Sequence, residues 1–465
     1  MKRNIIQTSA IVLAAAFVLQ SCVDFLDVEK PTTQIGSTAV FEDEATANAA
    51  ILGIYSAMTN SAGFVSGGLS SITSLAGRSA DDFINYAPNA PSEFAANELT
   101  ENNTYVNEYI WKEAYRYIYD VNAIIEGVSK SSTLSVAAKT RFAGEAKFLR
   151  AFFYFYLVNL FQNVPLVTTT DYRLNSIKAR SSADEVYIQI VDDLLSAKAS
   201  LTDDYTVSDG QKTRANRLAA IAMLARVYLY QHEWEKAESE ATLVLESTIQ
   251  LENDIDKVFL KNSNEAIWQL IPPEGSFATN EGSMFVLTGM PSEVSLSQDL
   301  IETFEENDLR KSHWTGSLQV EANTFFFPFK YKIKTGETEL SEYSMILRIG
   351  EQYLIRAEAR AHQNKIQAAL VDIDGIRQRA SLPLLQDTHP AITQPDLLLA
   401  IEQERRVELF SEWGHRWFDL KRTNRADQIL ADKFGSSWQS SDVLYPVPLQ
   451  EIQNNQNLLP QNPGY

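Results

Sequence analysis

The densest concentration of reactive side chains lies between Ile401 and Arg425 (IEQERRVELFSEWGHRWFDLKRTNR), where acids, arginines, a histidine and two tryptophans share one stretch. General acid–base chemistry draws on that mixture, but the spacing points to structure. Glu402 with Arg405 and Arg406, and Glu404 with Glu408, lie three or four residues apart, so on a helix they share faces along which acids and arginines pair. Trp413, Trp417, Phe418 and Leu420 then read as core anchors. The five histidines (232, 313, 362, 389 and 415) form no i, i+4 pair and no HExxH, so a histidine metal site is not expected. No GxGxxG, GxxxxGK[ST] or GxSxG occurs, and no D-x-[DN]-x-[DN]-G calcium loop. The expectation is a protein without catalytic residues, metal or cofactor.

Aromatic side chains in loops offer a different chemistry. A neutral sugar ring has apolar C–H faces on which indole and phenol rings pack, while Asn, Asp and Arg bind its hydroxyls. Two segments carry that combination. One holds Tyr86 and Phe94 with Arg78, Asp82 and several asparagines; the other holds Phe277, Phe285 and Trp314. These seven residues are the expected ligand contacts.

The balance of 60 acidic against 40 basic residues gives a formal charge of −20, which argues against a nucleic-acid-binding surface. Hydrophobic residues make up 45%, enough for a large core.

Helical periodicity dominates the chain. It covers 41–58, 109–128, 137–161 and 183–201, the last opened by Ser181 or Ser182 with Glu185 placed for a capping box. Residues 215–231 and 234–245 form a helical pair with a tight turn at His232. Leu224, Ala225, Tyr228, Trp234, Ala237 and Ala241 fall at tetratricopeptide positions, where small residues let antiparallel helices approach. Residues 348–380 read as a second such pair. By contrast, 61–79 holds six serines and four glycines and reads as a loop, and 81–107 stays irregular. Strand-like pieces at 265–270 and 324–334 stand among prolines and glycines. The predicted fold is mainly α: a tetratricopeptide-like repeat scaffold over about 39–256 and 344–430, a loop-rich insertion with short strands over 257–343, and an irregular segment over 431–465, all one domain from 39 to 465.

Cys22 is the single cysteine, so no intramolecular disulfide can form. Lys2 and Arg3 precede an apolar run from Ile11 to Leu19, and Leu19-Gln20-Ser21-Cys22 is similar to a bacterial lipobox. Residues 1–21 are expected to be a signal peptide, Cys22 the lipid attachment site, and 22–38 a tether.

Several blocks, in order, resemble the SusD/RagB family: 144–152 (GEAKFLRAF) with 164–167 (VPLV), Leu347-Arg348, 353–359 (YLIRAEA), 376–380 (IRQRA), 404–409 (ERRVEL), 414–422 (GHRWFDLKR), 445–448 (YPVP), Glu451-Ile452 and 461–465 (QNPGY). The resemblance covers essentially the whole chain. It implies a surface-exposed outer-membrane lipoprotein that captures oligosaccharide and delivers it to a SusC-like TonB-dependent transporter; a peptide ligand is the alternative. It also implies that the signature blocks belong to the scaffold, whereas the ligand site lies in variable loops.

Overall fold

The computed structural model describes residues 39–60, 62–335 and 339–465; the expected signal peptide, Cys22 and the tether lie outside the described residues. The chain is mainly helical, as the periodicity predicts. Its centre is the Val136–Phe161 helix, of whose 26 residues 18 are buried. A helix whose second half is apolar all round must be enclosed there, and Glu113–Lys130 and Ala183–Ser200 pack against it. The predicted capping box is present: the Glu185 amide donates to Ser182 Oγ (3.3 Å) and the Ser182 amide donates to Glu185 Oε2 (2.8 Å).

Both tetratricopeptide-like pairs form, Arg217–Tyr230 with Trp234–Leu245 and Ile349–His362 with Ile366–Arg379. They end their first helices alike. His232 (φ 59°) and Asn364 (φ 58°) adopt left-handed backbone. The next amides, Glu233 and Lys365, each donate five residues back, to Tyr228 and Arg360, at 2.9 Å. That geometry satisfies carbonyls which a helix terminus otherwise leaves unpaired. Although about a hundred residues separate the pairs in sequence, they pack together. Glu238 of the first accepts from Arg360 (3.0 Å), Lys365 (2.6 Å) and Gln363 (2.8 Å) of the second.

The insertion is rooted at its base by the buried strand Ala266–Leu270, antiparallel to Ser344–Arg348. A four-stranded sheet lies beyond, in the order Phe83–Asn85, Val294–Leu296, Asn323–Pro328, Thr315–Val320. Its first strand comes from outside the predicted insertion, within the stretch expected to be irregular. The serine- and glycine-rich stretch is also not all loop. Ile72–Ser79 is a helix, because the Ser71 side chain caps it by accepting from the Ser74 amide. This segment is tied to the insertion by Asn280, which donates to the Thr59 (2.9 Å) and Ser66 (2.7 Å) carbonyls. Glu281 is buried beside it, its carboxyl lying against Gly67 (φ +77°), where a Cβ would come within 2.4 Å of the carboxyl carbon.

Asp419 and Arg422 pair along their helix (2.7 Å), but Glu402, Glu404 and Glu408 do not pair with Arg405 and Arg406 along theirs as predicted. They reach across the molecule. Glu408 accepts from Arg310 (3.1 Å), Arg348 (2.6 Å) and Arg379 (2.5 Å). Glu404 accepts from Arg310 (2.5 Å) and Arg377 (3.2 Å), and Arg405 donates to Asp419 (2.9 Å). All these side chains are buried. Burial drives the Glu408 carboxyl upward, but the three guanidinium groups outweigh it and hold it well below the ordinary carboxylate range. The network joins the root of the insertion to the last helices. Trp413, Trp417, Phe418 and Leu420 are core, as predicted.

Candidate ligand-binding surface

The signature acids and arginines are thus consumed by structure. Glu145 is held by Arg214 through two bonds (2.8 and 2.6 Å), and Arg150 by Asp193 (2.8 and 2.7 Å). An aromatic surface open to a ligand lies where the Phe83–Asn85 strand meets the insertion.

That strand pairs antiparallel with Val294–Leu296, Asn85 opposite Val294. Tyr86 follows at its end, and its amide donates to the Glu293 carbonyl (2.8 Å). Its phenol oxygen lies 3.1 Å from Ser295 Oγ, and its ring meets Phe325 edge-on at 5.9 Å. Tyr86 is 36% exposed. Beneath it, Arg78 donates to Ser74 Oγ (2.8 Å), Asn85 Oδ1 (2.9 Å) and Glu293 Oε2 (3.0 Å). Burial lowers the Arg78 pKa from its ordinary value, against the opposing pull of Glu293. Tyr105 and Tyr109 complete the cluster, their rings 5.0 Å apart on a π-helical segment, Tyr105–Lys112; π-turns are frequent at functional sites. Burial raises the Tyr105 phenol above its ordinary value, Tyr109 and Glu293 adding to this while Arg78 opposes. Alongside, a cavity of about 210 Å³ is lined by Met284, Leu287, Met290, Glu293 and Lys334 among others.

The structure unites Arg78 and Tyr86 through Asn85 and Glu293, with Arg78 as a buried positioning group. The other predicted contacts divide. Phe277 is 44% exposed; its loop precedes the Asn280–Phe285 helix, which is tied to Thr59 and Ser66 through Asn280 and packs on the strand carrying Tyr86 only through buried Phe285. Phe94, Phe285 and Trp314 are corrections. Phe94 is fully buried and packs edge-on against Tyr445 at 5.4 Å. Phe285 packs on Phe83 at 5.5 Å in the core of the insertion. Trp314 donates its indole N–H to the Ile255 carbonyl (3.1 Å), with the Lys330 ammonium 4.8 Å above its ring. None offers a face to a ligand. Asp82 is corrected likewise: it is buried and accepts from Arg406 (3.0 Å), while its neighbour Asp81 takes Arg416 (2.7 and 2.8 Å). Burial pushes Asp81 up, but the Arg416 bonds and the Arg406 charge prevail and hold it at about 2. Glu293, Tyr105, Tyr109 and Phe325 were not singled out from the sequence.

A helical-repeat scaffold carrying an aromatic, hydroxyl-rich surface on loops describes a binding protein. Comparison with known proteins gives the family. Residues 189–465 match the SusD family model, and residues 24–229 match a model described as starch-binding, associating with the outer membrane. The chain belongs to the SusD family. A SusD-like protein of Formosa agariphila is 25% identical, with 99% of each chain covered. A SusD superfamily protein from Bacteroides vulgatus superposes with a TM-score of 0.80 at 19% identity, over 91% of this chain and 100% of the other. A laminarin-binding SusD-like protein superposes with a TM-score of 0.76 at 25% identity, over the same shares. No helix among the described residues is long and apolar enough to cross a membrane.

Proposed function

We propose that this chain captures an oligosaccharide at the Tyr86 surface, without chemistry, as a surface-exposed protein anchored to the outer membrane through lipid on Cys22, and delivers it to a SusC-like TonB-dependent transporter. The observation that carries the reading is the grouping of Tyr86, Phe325, Tyr105 and Tyr109 around the Arg78–Glu293 pair (3.0 Å). Phenol rings pack on sugar C–H faces, and the partly exposed Glu293 carboxylate is placed to meet hydroxyls. The starch-binding description of the matching model and the laminarin-binding relative support a glucan-like ligand. Glu402, Glu404, Glu408, Glu412 and Asp419, in and between the last helices, are each held by arginine, in keeping with binding rather than turnover.

Calorimetry of the full chain carrying Cys22→Ser against glycan and peptide panels tests this. The expected result is saturable glycan binding that falls about tenfold or more in Tyr86→Ala and in Glu293→Gln. Binding of peptides alone overturns the glycan reading, and glycan binding unchanged in both variants overturns the site. Co-purification of the lipidated chain with its transporter, lost on Cys22→Ser or not, tests the anchor separately from the ligand.

A further inference from the structure

A second cavity, of about 470 Å³, opens on the helical repeats and shares no lining residue with the Tyr86 surface. Ligand pockets commonly have this size. One wall is a stack of three nearly parallel rings: Trp234 lies 5.0 Å from His232 and 3.8 Å from His362, with interplanar angles of 11° and 8°. Facing residues Pro395, Leu398 and Leu399 come from the Gln394–Leu409 helix, and Leu399 is 53% exposed. Between these apolar walls stand Arg405, Arg422 and Arg425 with Glu358, Glu402 and Asp419.

The hydrogen-bond bookkeeping of this cavity does not close. Arg405 gives Nε and Nη2 to Asp419 (2.9 and 3.1 Å), Arg422 serves Asp419 (2.7 Å) and Glu358 (2.5 and 2.7 Å), and Arg425 Nη1 serves Glu402 (2.8 Å). After these bonds, Arg405 Nη1 and Arg425 Nε are buried without a partner among the described residues. Arg405 is only 1% exposed. Both orphans bordering the cavity are donors, and a buried guanidinium N–H left unpaired is costly. The missing group is an acceptor. A carboxylate suits guanidinium donors best, and the walls require the remainder of such a ligand to be apolar.

We propose that this cavity is a second binding site, for an apolar carboxylic acid whose body fills the space between the Trp234–His362 wall and Leu398–Leu399 and whose carboxylate accepts from Arg405 and Arg425. Such a group arrives either as a free small acid or as the C-terminal residue of a polypeptide; the chemistry is the same.

Calorimetry at neutral pH on the full chain uses indole-3-acetate and N-acetyl-tryptophan as probes of the two sources, each beside its neutral amide. The expected result is saturable binding of at least one acid, with its amide weaker by about tenfold or more. Binding of indole-3-acetate alone assigns the site to a free acid, and binding of N-acetyl-tryptophan alone assigns it to a chain terminus. Leu399→Glu sets an anion at the mouth on an exposed helix position and is expected to abolish acid binding while glycan binding and circular dichroism stay as they are. Arg405→Lys keeps the charge but removes the unpaired donor, and is expected to weaken binding similarly. If it fails to fold, Leu399→Glu still decides. Absence of acid binding, amides as tight as acids, or indifference to Leu399→Glu each overturns the proposal.

Discussion

Glu281→Gln isolates a single buried carboxyl that lacks a cation. Glu281 is 4% exposed; one oxygen accepts from the Ser344 hydroxyl, and Oε2 has no partner among the described residues. Burial raises its pKa, bonds from Ser344 and Thr279 oppose, and Glu342 adds to the rise, bringing it from 4.5 to about 7. A carboxyl raised on folding favours the folded state while it stays protonated. Its contribution is therefore fully present below pH ~4.5 and is lost as pH climbs through about 7. At ~1.4 kcal/mol per pH unit, this displacement amounts to about 3 kcal/mol. Glutamine cannot ionise. Urea unfolding of both proteins from pH 4.5 to 8 is the assay. The difference in unfolding free energy, parent minus variant, is expected to fall by about 3 kcal/mol across that range and to level off above it. Parallel pH profiles would refute the account of Glu281 as an uncompensated buried acid. Because its helix ties the insertion to the segment leading to Arg78, glycan affinity of the parent is expected to weaken over the same window.

Other outcomes follow from burial and capping. Glu408→Gln leaves Arg310, Arg348 and Arg379 short of their shared acid, and urea denaturation is expected to show a loss of about 3–5 kcal/mol. Phe94→Ala is expected to cost about 3–5 kcal/mol of stability through the cavity it opens, whereas Tyr86→Ala costs about 1 kcal/mol or less and acts on ligand affinity. Ser182→Ala removes the helix cap, and thermal unfolding should register about 1 kcal/mol.

The helical scaffold was legible because its signals are local. Ser182 and Glu185 cap, Val136–Phe161 is strongly apolar, and the turn at His232 ends its helix. The ionic network was not legible in its partners. Glu404 and Glu408 sit at helical spacing, but their arginines at 310, 348 and 377 are supplied by the insertion root and the second repeat pair, and no periodicity reports a contact of that range. Among the predicted site residues, a polar or glycine-rich surrounding was a poor guide to exposure. Phe94 lies in asparagine-rich sequence, yet its short helix turns it onto Tyr445, while Tyr86 stays open because it ends a strand at the edge of the sheet. Tyr105 and Tyr109 reach the surface on a π-turn, which a 3.6-residue period does not reveal.

The pairing of Phe83–Asn85 with Val294–Leu296 joins segments about two hundred residues apart and so carries a loop-closure cost. Two-state folding slows as contacts become more distant in sequence, because the intervening chain must be closed before the contact yields anything. The central helices pack from neighbours in the chain and have no such wait. The Tyr86 surface has one: its strand has no partner on that edge until the chain has passed residue 296, so the sheet that carries Tyr86 closes only after more than two hundred residues of intervening chain are in place. Without Glu293 and the strand that follows it, Tyr86 and Arg78 have nothing against which to take up their positions.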